Sequence, residues 1–124
     1  MRFPEGVESP KELNLAKDPR FADGPFVVRS SDGRLMMLWS SHGKNGYTLG
    51  VAISQSGEIT GPWVQQDETL WSGDGGHGMI LHTSTGRTCL VFHTPNNTPN
   101  ERARLIDIRI GPDRIHPLAD EQEI

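Results

Sequence analysis

Apolar residues along this chain either alternate with small and polar ones or gather in short blocks, and no segment repeats them at the three-and-four spacing of a helix face. Glycine and proline punctuate the sequence at short intervals, which shortens every element further. The pattern predicts strands over 26–29, 35–41, 47–54 and 63–66. Turn chemistry separates them at Ser31-Asp32-Gly33, Gly43-Lys44-Asn45-Gly46 and Ser56-Gly57. A second series follows over 79–82, 87–93, 103–110 and 114–118. It is divided by Ser84-Thr85-Gly86, a long turn over 94–100, and Gly111-Pro112-Asp113. Each series reads as a four-stranded antiparallel meander.

The block Leu35-Met36-Met37-Leu38-Trp39 is apolar at every position, so both faces of that strand are expected to be covered. Tyr47, Leu49, Val51 and Ile53 instead alternate with small or polar residues. A sheet packed between other sheets produces both patterns. Laid together, the two series form an internal repeat that pairs Asp23-Gly24 with His77-Gly78, Gly33-Arg34 with Gly86-Arg87, and Leu38-Trp39 with Val91-Phe92. Repeated four-stranded units with a period of roughly fifty residues are characteristic of propeller blades, because one blade cannot cover its own two faces. The fold class expected is all-β: two four-stranded antiparallel propeller blades, at 22–71 and 72–120, forming part of a larger propeller. An eight-stranded sandwich is the rival architecture. Residues 1–21 break from this texture and read as an irregular lead-in with a short helical turn over 10–16, and 121–124 as a polar tail.

Composition narrows the partners. With 124 residues and an apolar fraction of 34%, the chain has little material for a private core. A net charge of -4 and the lack of any Lys/Arg cluster argue against nucleic acid and anionic membrane, and leave a neutral, polyhydroxylated ligand compatible. The first 21 residues lack the apolar core of a signal peptide, and no stretch approaches the roughly 20 apolar residues of a membrane span, so the expectation is a soluble, unexported chain. The single cysteine, Cys89, sits in the apolar run Cys89-Leu90-Val91-Phe92 and reads as a buried thiol.

In a propeller the innermost strand of each blade runs beside the central axis, so residues at strand starts converge on one mouth. Asp23 and His77 are the candidates there. A carboxylate and an imidazole sharing a pocket can exchange protons, bind a cation or hold sugar hydroxyls. Plainer roles stay open: Asp23 capping the turn at Gly24-Pro25, and His77 satisfying the glycine-rich loop 72–78. Trp39 with Ser40-Ser41, and His93 with Asn96, end the neighbouring strands and are candidate ligand contacts. Trp63 and Trp71 flank the link between units, where a packing role is expected. Glu101-Arg102 is expected to form a local ion pair that steadies the long turn.

Taken together, ADGPF (22–26), LMMLWSSH (35–42), GYTLGVAIS (46–54), GPW (61–63), GGHGMI (75–80) and HTPNNTPNER (93–102) resemble glycoside hydrolase family 43. The resemblance implies the C-terminal two blades of a five-bladed β-propeller that hydrolyses arabinan, xylan and related side chains with inversion. Such enzymes use a base, a general acid and a third carboxylate that orients the acid. Asp23 falls where many members carry the glutamate of the general acid, one methylene longer. His77 matches a histidine that holds a water or a metal ion, which implies a calcium ion near His77. The remaining carboxylates would lie in N-terminal blades that precede this segment. The expected partners are a plant cell-wall-type oligosaccharide and either those missing blades or further copies of the chain. A non-catalytic carbohydrate-binding or assembly module is the alternative.

Overall fold

A computed structural model describes residues 22–118. The lead-in, with its helical turn over 10–16, and the tail at 121–124 lie outside the described residues. Within them there are eight strands and no helix: β1 (Asp23–Arg29), β2 (Leu35–Gly43), β3 (Gly46–Ser54), β4 (Trp63–Gln65), β5 (Gly76–His82), β6 (Thr88–Thr94), β7 (Arg102–Ile110) and β8 (Ile115–Pro117). They form two four-stranded sheets in the orders β1-β2-β3-β4 and β5-β6-β7-β8. Every neighbouring pair is antiparallel. No strand changes sheet, so the interleaving expected of a Greek-key sandwich is absent among the described residues, and the meander reading holds.

Strand β2 explains its own sequence. Met36 and Leu38 face the second sheet and join a core with Leu49, Val51, Leu70, Leu90, Phe92, Ile106, Ile108 and Ile115. Leu35 and Trp39 project from the opposite face and pack with Ala52 and Trp63. An uninterrupted apolar run is what a strand with two covered faces requires. The far face of the second sheet is only partly covered: Met79 and Leu81, turned away from the core, are 52% and 43% exposed. Cys89 is a buried thiol, as its apolar neighbours imply. Burial first, and then a hydrogen bond to Asp107, push its pKa up.

The link between the sheets is tied down by its backbone. Leu70 and Gln66 donate to the carbonyls of Leu49 and Val51, Leu49 donates to Trp71, and Gly75 donates to Tyr47. Trp71 tilts against Phe92 with ring centroids 4.8 Å apart, and the Arg104 guanidinium sits 4.8 Å from its ring centroid. Trp63 is buried and donates to the Ile59 carbonyl. Both tryptophans therefore have the packing role expected of them.

Two expectations need correction. First, the repeat is out of step by one residue at the strand starts. Asp23 stands opposite Ser40 and Gly76 opposite His93, each followed by an irregularity in register before Phe26 or Met79. The counterpart of Asp23 is thus Gly76, and that of His77 is Gly24. The two counterparts share a left-handed backbone, each with φ 57°. Matching the Asp-Gly and His-Gly dipeptides concealed this, because the second bulge uses a histidine where the first uses a glycine. The same bulges let β1 and β5 begin three residues earlier than the apolar pattern indicates. Second, Glu101 and Arg102 do not form an ion pair with each other. Thr98 Oγ1 donates to Glu101 Oε2 at 2.7 Å, and Arg102 donates to the backbone carbonyls of Pro99 and Glu101.

The core makes a direct prediction. Leu38 is fully buried between the sheets, so Leu38→Ala should destabilise the chain by about 2–5 kcal/mol through lost transfer energy and a residual cavity. Leu81→Ala, on the exposed face, should stay within about 0.5 kcal/mol. Urea denaturation of the two variants beside the parent chain measures both, and equal losses would contradict the assignment of faces.

Candidate functional site

The starts of β1, β3 and β5 and the ends of β2 and β6 meet at one end of the two sheets. Asp23 opens β1, where its Oδ1 accepts the Gly24 N–H at 3.0 Å. Its Oδ2 accepts the Tyr47 hydroxyl at 2.9 Å from the start of β3. The His77 Nδ1 lies 3.7 Å from the same Oδ2. That separation suits a charge contact with a protonated imidazole and is too long for a direct hydrogen bond. About half of each side chain is open, 48% for Asp23 and 58% for His77. The two strand-start residues singled out in the sequence are therefore brought together.

Backbone constraints hold this pair in place. His77 adopts a left-handed conformation that costs a non-glycine residue on the order of 1–3 kcal/mol. The Ser40 Oγ accepts its N–H at 2.9 Å, tying the strained residue to the end of β2. Gly24 lies directly beneath: a Cβ there would approach His77 Cγ to 2.9 Å, so no side chain fits. At Gly76 a Cβ would meet the Tyr47 ring at 2.8 Å, and its absence lets that ring approach the start of β5 closely.

Tyr47 is the hub, and reading the sequence alone treated it only as one apolar position of an alternating strand. It is buried. Its ring stacks on His93 with centroids 5.7 Å apart and an interplanar angle of 28°, and tilts against His42 at 6.0 Å. Burial first, then the hydrogen bond to Asp23 and that carboxylate's charge, push its pKa far above the ordinary 10.0. The phenol is thus held as a donor across the neutral range. The usable signal was that the chain has a single tyrosine at a strand start, and a buried phenol needs a partner for its hydroxyl.

His93 joins the group through Tyr47, and its Nε2 contacts Asn96 Oδ1 at 2.8 Å. Trp39 does not join it. Alternation along β2 sends Ser40 toward the site and Trp39 to the other face, where it is buried and donates to Gln65 Oε1 at 2.7 Å. Asp74, also in the left-handed region, accepts the Tyr47 N–H at 3.0 Å on Oδ1 and the Asn96 N–H at 3.2 Å on Oδ2. Among the described residues no group of three or more His, Cys, Asp and Glu side chains is arranged to hold a metal ion. What the arrangement offers is a half-open carboxyl in a fixed orientation, an adjacent imidazole, and a rim of rings that can face a polar, hydroxylated molecule.

Comparison with known proteins bears on this geometry. The chain is similar to the solved structure of an endo-arabinase from Bacteroides thetaiotaomicron VPI-5482, with 44% identity and a TM-score of 0.67 over 73% of this chain and 32% of that one. The fold is glycosidase-like. An endo-1,4-beta-xylanase from the same organism superposes with a TM-score of 0.71 over 93% of this chain and 42% of its own, and at 21% identity it shows the fold alone. The chain spans less than half the length of either protein. No family model and no curated protein matches it.

The Tyr47 hydroxyl supplies the test of the site's electrostatics. Its folded pKa lies above the unfolded value, so its contribution to stability is complete below about pH 10 and is lost as pH rises through the folded value. Phenolate absorbance from this sole tyrosine should emerge well above pH 10.0 in the folded chain. Asp23→Asn, which removes the neighbouring charge, should move the transition downward. A titration centred on 10.0 and unmoved by Asp23→Asn would contradict the Tyr47–Asp23 contact.

Proposed function

We propose that this chain is the C-terminal part of a family 43 glycosidase, its sheets being two consecutive blades of a five-bladed propeller. In this reading it contributes the acid-side carboxylate to an inverting hydrolysis of O-glycosidic bonds in arabinan- or xylan-type polysaccharides. The observation that carries the reading is the meeting of Asp23, Tyr47 and His77 at one open end, in a chain 44% identical to an endo-arabinase over 73% of its length.

Inversion requires one carboxyl to protonate the leaving oxygen while a second, ionised carboxylate activates water on the opposite face of the sugar, the two standing about 6.5–9.5 Å apart. Asp23 would meet the leaving oxygen, because its exposed half faces the open end while Tyr47 and the Gly24 amide fix its rotation. His77 would hold a water or a sugar hydroxyl beside it, and His93 would line the rim. Asp74 is a poor second carboxylate, since both its oxygens already accept backbone amides. The base and the orienting carboxylate would come from blades that precede Asp23 in a longer protein, or from further copies of this chain. The exposed Met79 and Leu81 support a covering sheet on that side. Calcium takes roughly six to eight oxygen ligands, so an ion near His77 could draw at most one carboxylate from this chain, with the imidazole holding one of its waters and the other positions left to water and to residues elsewhere.

The isolated chain should bind arabino-oligosaccharides weakly and turn over neither aryl arabinosides nor aryl xylosides. Calorimetry and a chromogenic assay, each with an Asp23→Ala control, decide this. Turnover that disappears in the control would overturn the incomplete site. A failure to bind either arabino- or xylo-oligosaccharides would overturn the glycan assignment.

A further inference from the structure

Asp74 belongs to the glycine-rich loop and touches nothing that would react, yet Tyr47, Asn96 and, through them, Asp23 and His93 are held from it. Its Oδ1 holds the amide of Tyr47 and its Oδ2 the amide of Asn96. Tyr47 carries the hydroxyl that orients Asp23. Asn96 in turn contacts His93, whose ring stacks on Tyr47. One carboxylate thereby joins the start of β3 in the first sheet to the long turn after β6 in the second. Its own backbone is pinned as well, because Thr94 Oγ1 donates to the carbonyls of Gly73 and Asp74 at 3.2 and 3.0 Å. Hydrogen bonds from backbone amides to a carboxylate are stronger than neutral ones, and with one on each oxygen the clamp fixes position as well as proximity.

We infer that Asp74 is the positioning residue of this site: it sets the height of the Tyr47 ring above β5, and through the phenol the orientation of the Asp23 carboxyl. The inference rests on the glycosidase reading for its consequence in sugar binding, and on geometry alone for its effect on Tyr47. Hydrogen bonding to one amide of β3 and one of the turn after β6 also explains why an aspartate stands at φ 62°, where glycine would be easier.

That backbone conformation selects the test. Asp74→Gly removes the carboxylate and tolerates the left-handed region, while Asp74→Asn removes the same charge but keeps one acceptor oxygen and is itself tolerated there. Both variants lose one negative charge, so any difference between them reports position rather than charge. In the full 124-residue chain, the phenolate transition of Tyr47 should fall further toward 10.0 in Asp74→Gly than in Asp74→Asn. Affinity for arabino-oligosaccharide should fall in the same order. Amide exchange at Tyr47 and Asn96 should rise most in the glycine variant. Equal phenol transitions in two folded variants would overturn the inference. Should Asp74→Gly not fold, Asp74→Asn decides alone: unchanged exchange at both amides, relative to the parent, would overturn it. A parent chain that binds no sugar would sink the glycosidase reading and leave the phenol comparison intact.

Discussion

The structure depends on how closely β5 can approach the first sheet. That strand begins Gly76-His77-Gly78, and a Cβ at Gly76 would strike the Ser40 hydroxyl and the Tyr47 ring, each at 2.8 Å. Without side chains at those points the backbone of β5 lies against β2 and β3, and a single apolar core can run from Met36 and Leu38 through to Leu90 and Ile106. Close packing between sheets makes such contacts intolerant of even one added carbon. The same proximity that closes the core also brings the histidine within reach of the aspartate.

Approach at that distance places a polar seam at one end of an apolar interface. The Ser40 hydroxyl accepts the His77 amide, the Tyr47 hydroxyl reaches Asp23, and Asp74 holds amides from both sides. Burying these groups without partners would cost several kcal/mol in sum, about 1–3 for each orphan. Their mutual satisfaction is what permits a polar site where two sheets meet. His77 bears the strain of the arrangement, since the bulge that aims its ring outward is one that glycine fills in the other sheet.

Most of the architecture could be read from the sequence because it rests on local rules. Period-two alternation, the fully apolar β2 and the glycine-centred turns each name a strand or an end, and together they specify two meanders. Bulges are less legible: Gly24-Pro25 and His77-Gly78 look like turn residues, yet they lie inside strands, and so the repeat slipped by one at the positions that mattered. Asp23 and His77 were still found, since a slip of one residue leaves them at the same end. Trp39 was misjudged for the opposite reason. Neighbouring positions of a strand face opposite ways, and with both faces of β2 covered nothing in the sequence says which of Trp39 and Ser40 turns toward the site. The lone tyrosine at a strand start signals that Tyr47 needs a hydroxyl partner, but its role is less legible because those partners lie 24 and 27 residues away.

The seam has one more property. Asp23 belongs to the first sheet and His77 and His93 to the second, so a molecule seated against these three touches both sheets at once. By mass action, whatever binds only the joined arrangement also strengthens the joint. A ligand lodged there would fasten the two sheets together as well as fill the open end.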